Sequence, residues 1–191
     1  MQTLDAIANR RSIRKFKETP VPEDIVRKIL LAATQAPSAK NRQPWRFVVV
    51  SGEKRTGMLD AMRAGMAKHE AGGENTGSAK WTAQIMEQAP VTIFVFNAEG
   101  IHPWLAHSID QNFGNLVNLQ SVGAAIQNMC LAALDLGLGS LWIADTLYAY
   151  DELCAYLKMD CQMVAALAIG YPDEAPDARP RKPMDDVARW M

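Results

Sequence analysis

Val91-Thr92-Ile93-Phe94-Val95-Phe96 directly follows Pro90 and is almost wholly apolar. The run is compact, and its β-branched and aromatic content suits a strand covered on both faces at the centre of a sheet better than a short helix. Two further runs have the same character, Arg46-Phe47-Val48-Val49-Val50 and Val164-Ala165-Ala166-Leu167-Ala168-Ile169-Gly170, and Ser140-Leu141-Trp142-Ile143-Ala144 reads as a fourth strand. Helical spacing lies between them. Leu4, Ile7 and Ala8 mark a short N-terminal helix ending at a basic run. Pro22, in the first turn of a second helix, precedes the stripe Ile25, Ile29, Leu30 and Ala33, with Glu23 and Asp24 at the positive end of the dipole and Pro37 as the stop. Residues 53–66 look helical. Residues 116–136 form a long helix whose many small residues, with Val122, Ile126, Met129 and Leu134, leave little polar face, so burial on most sides is expected. Gly137 and Gly139 end it where left-handed backbone costs glycine little. Asp151 is placed to cap a short helix before the last strand.

The 191 residues, 49% hydrophobic and 21% charged, suffice for one core and are too few for two independent domains, so 1–191 is expected to be a single domain. Twenty basic residues oppose twenty-one acidic ones, for a formal charge of −1. That balance supplies no long-range field toward nucleic acid or anionic lipid, and any basic cluster must act locally. Cys130, Cys154 and Cys161 are odd in number and form no C-x-x-C pair, which disfavours a disulfide framework or zinc knuckle and fits a reducing, cytoplasmic setting. The opening residues lack a secretory pattern, and no apolar stretch approaches the roughly 18–20 residues that span a bilayer. The expectation is a protein neither secreted nor membrane-spanning. Ala71-Gly72-Gly73-Glu74-Asn75-Thr76-Gly77-Ser78 has no large aliphatic anchor, so residues 65–80 are expected to form a mobile lid. Residues 172–191, Pro-rich and charged, are expected to extend over a neighbouring subunit or the outer surface.

Arg10, Arg11 and Arg14, with Ser12 between them, place several guanidinium forks within five residues. Such forks suit a phosphate dianion needing charge-assisted, bidentate hydrogen bonds. By itself the run fits a solvated helix end better, the commoner fate of a basic run. Ser38, Asn41 and Gln43, in a polar loop between Pro37 and Pro44, have the donors and acceptors for a heterocycle edge or a polyol chain, or for an ordinary turn. Gly137-Leu138-Gly139-Ser140-Leu141-Trp142 is no dinucleotide fingerprint, because it runs helix, turn, strand and has Trp142 at the third glycine position. The sequence contains no G-x-x-x-x-G-K-[ST] loop and no G-x-S-x-G elbow, which disfavours nucleoside triphosphatases and common serine hydrolases. His102 and His107 are five residues apart, off a common helix face, so no metal is expected. His69 reads as a loop histidine, Cys130 as a core residue, Gln127 and Asn128 as satisfied amides, and Asp185 and Asp186 as solvated.

Taken together, Arg-Arg-Ser-Ile-Arg-Lys-Phe at 10–16, Ala-Pro-Ser-Ala-Lys-Asn-Arg-Gln-Pro-Trp at 36–45, Gly-Leu-Gly-Ser-Leu-Trp-Ile at 137–143 and Ala-Ile-Gly-Tyr-Pro at 168–172 resemble the nitroreductase family. The resemblance spans nearly the whole chain, with 65–80 and 98–114 as the variable parts. It implies an α+β sandwich, a mostly antiparallel central sheet wrapped by helices, in a homodimer whose subunits share two FMN sites. On that pattern Arg10, Ser12 and Arg14 contact the phosphate, ribityl chain or pyrimidine edge of FMN, and Arg181 adds a phosphate contact. Arg11 matches the motif without an assigned target, and Arg179 is an unplaced charge. Pro37, Ser38, Asn41 and Gln43 approach from the partner subunit. The Ser140, Leu141, Trp142 peptide faces the ring, and Gly170 and Tyr171 lie toward the phosphate end. The implied chemistry is hydride transfer from NAD(P)H to the flavin and onward to a small-molecule acceptor such as a nitroaromatic or quinone, with no protein nucleophile and no nucleic-acid or membrane partner. Reductive dehalogenation, flavin fragmentation or a non-catalytic flavin-binding role are the alternatives.

Overall fold

The strand built on the opening run, β2 (Val91–Asn97), is buried along its whole length. It pairs antiparallel on one side with β1 (Trp45–Ser51) and on the other with β4 (Gln162–Gly170), which in turn pairs antiparallel with β3 (Gly139–Ile143), giving the order β1-β2-β4-β3. The computed structural model describes residues 2–191. Alternation along β2 and β4 divides the interior into two layers. Phe94, Phe96, Ala166 and Ala168 pack with Met58, Met62, Met86 and Leu153 from α3 (Lys54–Ala71), α4 (Ala79–Gln88) and α6 (Tyr150–Leu157). Ile93, Val95, Ala165, Leu167 and Ile169 pack with Ile29, Ala33, Val122, Ile126 and Met129 from α2 (Glu23–Thr34) and α5 (Ile109–Asp135). Short helices α1 (Thr3–Asn9) and α7 (Met184–Val187) flank this α+β sandwich. No helix among the described residues is long and apolar enough to cross a membrane.

Several expectations need correction. The long helix begins at Ile109, well before 116, because Ser108 and Gln111 form a capping box: the Gln111 N–H donates to Ser108 Oγ at 3.2 Å and the Ser108 N–H to Gln111 Oε1 at 2.9 Å. Its first turns are not buried, with Ile109, Phe113 and Leu116 exposed on one face. Gly137 does adopt a left-handed φ of +78°, but Gly139 lies within β3, where the reason for glycine is space. A Cβ there would sit 2.7 Å from Cγ1 of Ile13. Pro22 precedes the first turn of α2, and Asp151 lies inside the first turn of α6, where Ala149 is the cap. Residues 65–71 continue α3, so irregular backbone is confined to 72–78. The helix persists because Met66 is buried and Gly65 lets the chain at Ala149 pass, a Cβ there meeting Ala149 Cα at 2.3 Å. His69 accordingly sits in the last turn of α3, its Nδ1 2.6 Å from Glu74 Oε2.

The α6 region carries a pH dependence. Burial pushes the Cys154 thiol from 9.0 up to about 11 and the Tyr150 phenol from 10.0 up to about 12. Both groups hold their proton more firmly when folded, so their contribution to stability is complete below about pH 9 and is lost as the pH rises through about 11 and 12. The melting temperature is expected to fall progressively above pH 9, with a shallower fall in Cys154→Ala. An equal slope in that variant would remove Cys154 as a cause.

Candidate functional site

Residues 15–17 and 171–173 run side by side: the Lys17 N–H donates to the Tyr171 carbonyl and the Asp173 N–H to the Lys15 carbonyl, each at 2.9 Å, and Phe16 bridges Pro172. Glu174 fastens the same junction by accepting from the backbone N–H groups of Arg14 and Lys15. This pairing carries the C-terminal segment back over the arginine run. Arg10, Arg11, Ser12, Arg14, Arg179 and Arg181 consequently line one cavity of about 290 Å³, with Asp177 as its single carboxylate. Among the described residues the guanidiniums of Arg11, Arg14 and Arg181 donate only to main-chain carbonyls. Five like charges facing one space are mutually repulsive, and a polyanion of phosphate type relieves that repulsion with charge-assisted bonds. The previously unplaced Arg179 belongs to this cluster.

Ile13 fixes the run to the sheet. Its side chain is buried, its N–H donates to the Ser140 carbonyl at 3.0 Å, and Ser12 forms a parallel bridge to Ser140. Strand β3 is the sheet edge, and the bridge covers it only at Ser140. By the two-residue alternation of a strand, Trp142 presents its N–H and C=O on that same edge, beyond the point where pairing stops. Trp142, 44% exposed, lines a second cavity of about 730 Å³ with Arg14, Trp81, Thr82, Leu141 and Asp145. Ser140 and Leu141 are themselves buried, so of the expected 140–142 peptide it is chiefly Trp142 that is open. Arg14 lines both cavities.

The other expected residues lie elsewhere. Pro37, Ser38, Asn41 and Gln43 lead into β1, at the opposite edge of the sheet from β3 and three strand spacings away, on the order of 14 Å. One chain therefore does not bring them to the arginine cavity. Their loop is nonetheless strained: Lys40, Asn41 and Gln43 have φ of +52°, +54° and +49°. Left-handed backbone costs side-chain-bearing residues roughly 1–2 kcal/mol each and persists where surrounding bonds over-determine it. Here the Gln43 N–H donates to Ser38 Oγ at 3.0 Å, and Arg42 pairs with Glu99 at 3.1 Å. Gly170 lines neither of these two cavities. It is fully enclosed, and a Cβ would meet Pro90 Cδ at 2.6 Å and Phe16 Cδ1 at 3.0 Å, so its role is to admit the close passage of the 15–17 segment. Tyr171 is half-buried against the α2/α5 layer and acts through its backbone carbonyl. Glu174, Trp81, Thr82 and Asp145 were not found from the sequence. Only their long-range placement beside the run or the β3 edge distinguishes them from ordinary polar or aromatic residues.

A model of the nitroreductase family matches residues 7–171. The chain belongs to that family. YfhC of Bacillus subtilis, an NAD(P)H nitroreductase by name, is 30% identical over 184 residues, 95% of this chain and 90% of YfhC. The 5,6-dimethylbenzimidazole synthase of Rhodospirillum rubrum is 32% identical over 178 residues, 90% of this chain and 82% of the synthase. A nitroreductase-like protein of Desulfovibrio desulfuricans, crystallised in complex with FMN, is similar with a TM-score of 0.75 at 28% identity, over 98% of this chain and 95% of that one. The helix-wrapped antiparallel sheet is the nitroreductase-like architecture that the motifs implied.

Proposed function

We propose that this chain is an FMN-dependent oxidoreductase that uses NAD(P)H and reduces a small acceptor such as a quinone or nitroaromatic, with its sites completed by a second copy of the chain. The observation that carries this reading is the continuity at Arg14 between the five-arginine cavity and the open edge of β3. Arg10, Ser12, Arg179 and Arg181 supply the charge and donors that a phosphate requires, and the free Trp142 peptide supplies a donor and an acceptor for a heteroaromatic edge. When bound, FMN supplies two-electron chemistry between NAD(P)H and the acceptor. The chain's own part is electrostatic and steric. Arg14 stabilises negative charge that develops near the β3 edge, and Leu141, Trp142 and Trp81 wall the cavity against water. No protein nucleophile is required.

Two observations favour a shared site. The Ser38–Gln43 loop cannot reach the arginine cavity of its own chain, yet stores backbone strain of the kind found at ligand-binding loops. Ile109, Phe113 and Leu116, at helical spacing and exposed, give α5 an apolar face suited to a second copy. The purified protein is expected to be yellow, to sediment as a dimer and to lose its flavin absorbance anaerobically on addition of NADH or NADPH. Bound flavin that neither reductant bleaches would overturn the reductase reading.

A further inference from the structure

Next to the β3 cavity lies another of about 520 Å³, lined by His69, Glu74, Trp104, Asp145, Leu147 and Tyr148 as well as Ala144. The two cavities share Ala144 and Asp145 as a common wall. Its apolar surfaces are flat: the Trp104 indole is 60% exposed, and the His69 and Tyr148 rings meet edge to face with centroids 5.6 Å apart. Its polar groups are chiefly anionic. Asp145 Oδ2 accepts from Ser78 Oγ at 2.7 Å and from Thr82 Oγ1 at 2.5 Å, which fixes the carboxylate while Oδ1 has no partner among the described residues. Glu74 uses Oε2 toward His69, and its Oε1 is likewise open. The nearby ammonium groups do not neutralise the pair, because Lys68 is bound to Glu152 and Lys80 lies 3.4 Å from Glu70.

We propose that this cavity binds a small organic cation of the arylalkylammonium class. The ring stacks against Trp104 and Tyr148, and the ammonium donates to Asp145 Oδ1 and Glu74 Oε1. Aromatic walls and carboxylates act together here, since a partly desolvated ammonium is attracted both by ring faces and by opposite charge. A carboxylate-bearing arene meets repulsion from the same two groups. Because of the shared wall at Asp145, a cationic arene held here lies next to the β3 cavity. Use as an electron acceptor therefore rests on the flavin reading above, whereas binding does not.

Benzylamine, benzyl alcohol and benzoate, titrated calorimetrically into the purified protein, test the charge preference. Benzylamine is expected to bind at least about tenfold more tightly than the alcohol, with benzoate weakest. Glu74→Gln is expected to weaken benzylamine about tenfold and the alcohol little, and Trp104→Ala to weaken both. Both positions are solvent-exposed, so the variants are expected to fold. Equal binding of amine and alcohol, tighter benzoate, or benzylamine affinity unchanged in both variants would each overturn the proposal. In a second arm, 4-nitrobenzylamine is expected to show a lower KM than 4-nitrobenzoate. Charge-selective benzylamine binding without flavin-dependent turnover sinks the oxidoreductase reading and leaves this site standing. Turnover without that selectivity does the reverse.

Discussion

Arg10→Ala combined with Arg14→Ala is expected to yield a colourless protein that folds normally. Arg10 is half-buried and Arg14 exposed, and neither side chain contributes to the two packed layers. Each charge-assisted bond to a phosphate or an anionic ring is worth about 1.5–3 kcal/mol. Loss of both guanidiniums then weakens FMN by about 3–6 kcal/mol, roughly 10²–10⁴ in affinity. Stability should move the other way. In the flavin-free protein five guanidiniums line one small space against a single carboxylate, so deleting two relieves repulsion. The melting temperature of the flavin-free variant is expected to equal or exceed that of flavin-free wild type. Absorbance measures flavin content and calorimetry the melting temperature, and stoichiometric FMN in the double variant would refute the assignment of this cavity.

Gly139→Ala is expected to lose both stability and flavin although it touches no charged group. The added Cβ would lie 2.7 Å from Cγ1, 2.9 Å from Cβ and 2.9 Å from Cγ2 of Ile13. No rotamer removes the clash with Cβ, so the Ile13 backbone must retreat. Its N–H bond to Ser140 and the neighbouring Ser12 bridge then fail, and Arg10 to Arg14 lose their register on β3. Overpacking of this kind costs about 1–3 kcal/mol, which for a chain of this size lowers the melting temperature by about 2–12 °C. Gly137→Ala is the control. Its φ of +78° makes alanine strained, but open space surrounds the position. It is expected to lower stability by about 1–2 kcal/mol with flavin affinity kept. Equal flavin loss in both would show that the β3 contact has no special role.

The four strands, the buried status of β2 and the helical stripe of α2 were legible in the sequence because burial and backbone sterics act over a few residues. The four motifs were legible for the same reason, and they sufficed to identify the family. The N-terminal turns of α5 are encoded locally as well, by the Ser108–Gln111 capping pair, although the apolar run that marks the helix starts only at 116. The glycines were less legible. Gly139 and Gly170 looked like turn residues or site residues, and both are glycine because another segment leaves no room for a Cβ, which no local pattern records.

The sequence alone determined which residue types are present for the chemistry: three arginines and a serine after α1, an amide-bearing loop before β1, and a strand beginning Gly139-Ser140. Only the tertiary structure decided what they do together. A bond between Arg14 and Glu174, residues 160 apart in sequence, closes the C-terminal segment over the run and brings in Arg179 and Arg181. The sheet order places the Ser38–Gln43 loop at the opposite edge, where it cannot serve its own chain's cavity. Asp145 gains its partners from α4 and the residue before it, and a cavity wall, only once those elements pack. Periodicity and propensity are short-range properties of a chain, whereas the position of a charge relative to a cavity depends on which distant segments pair.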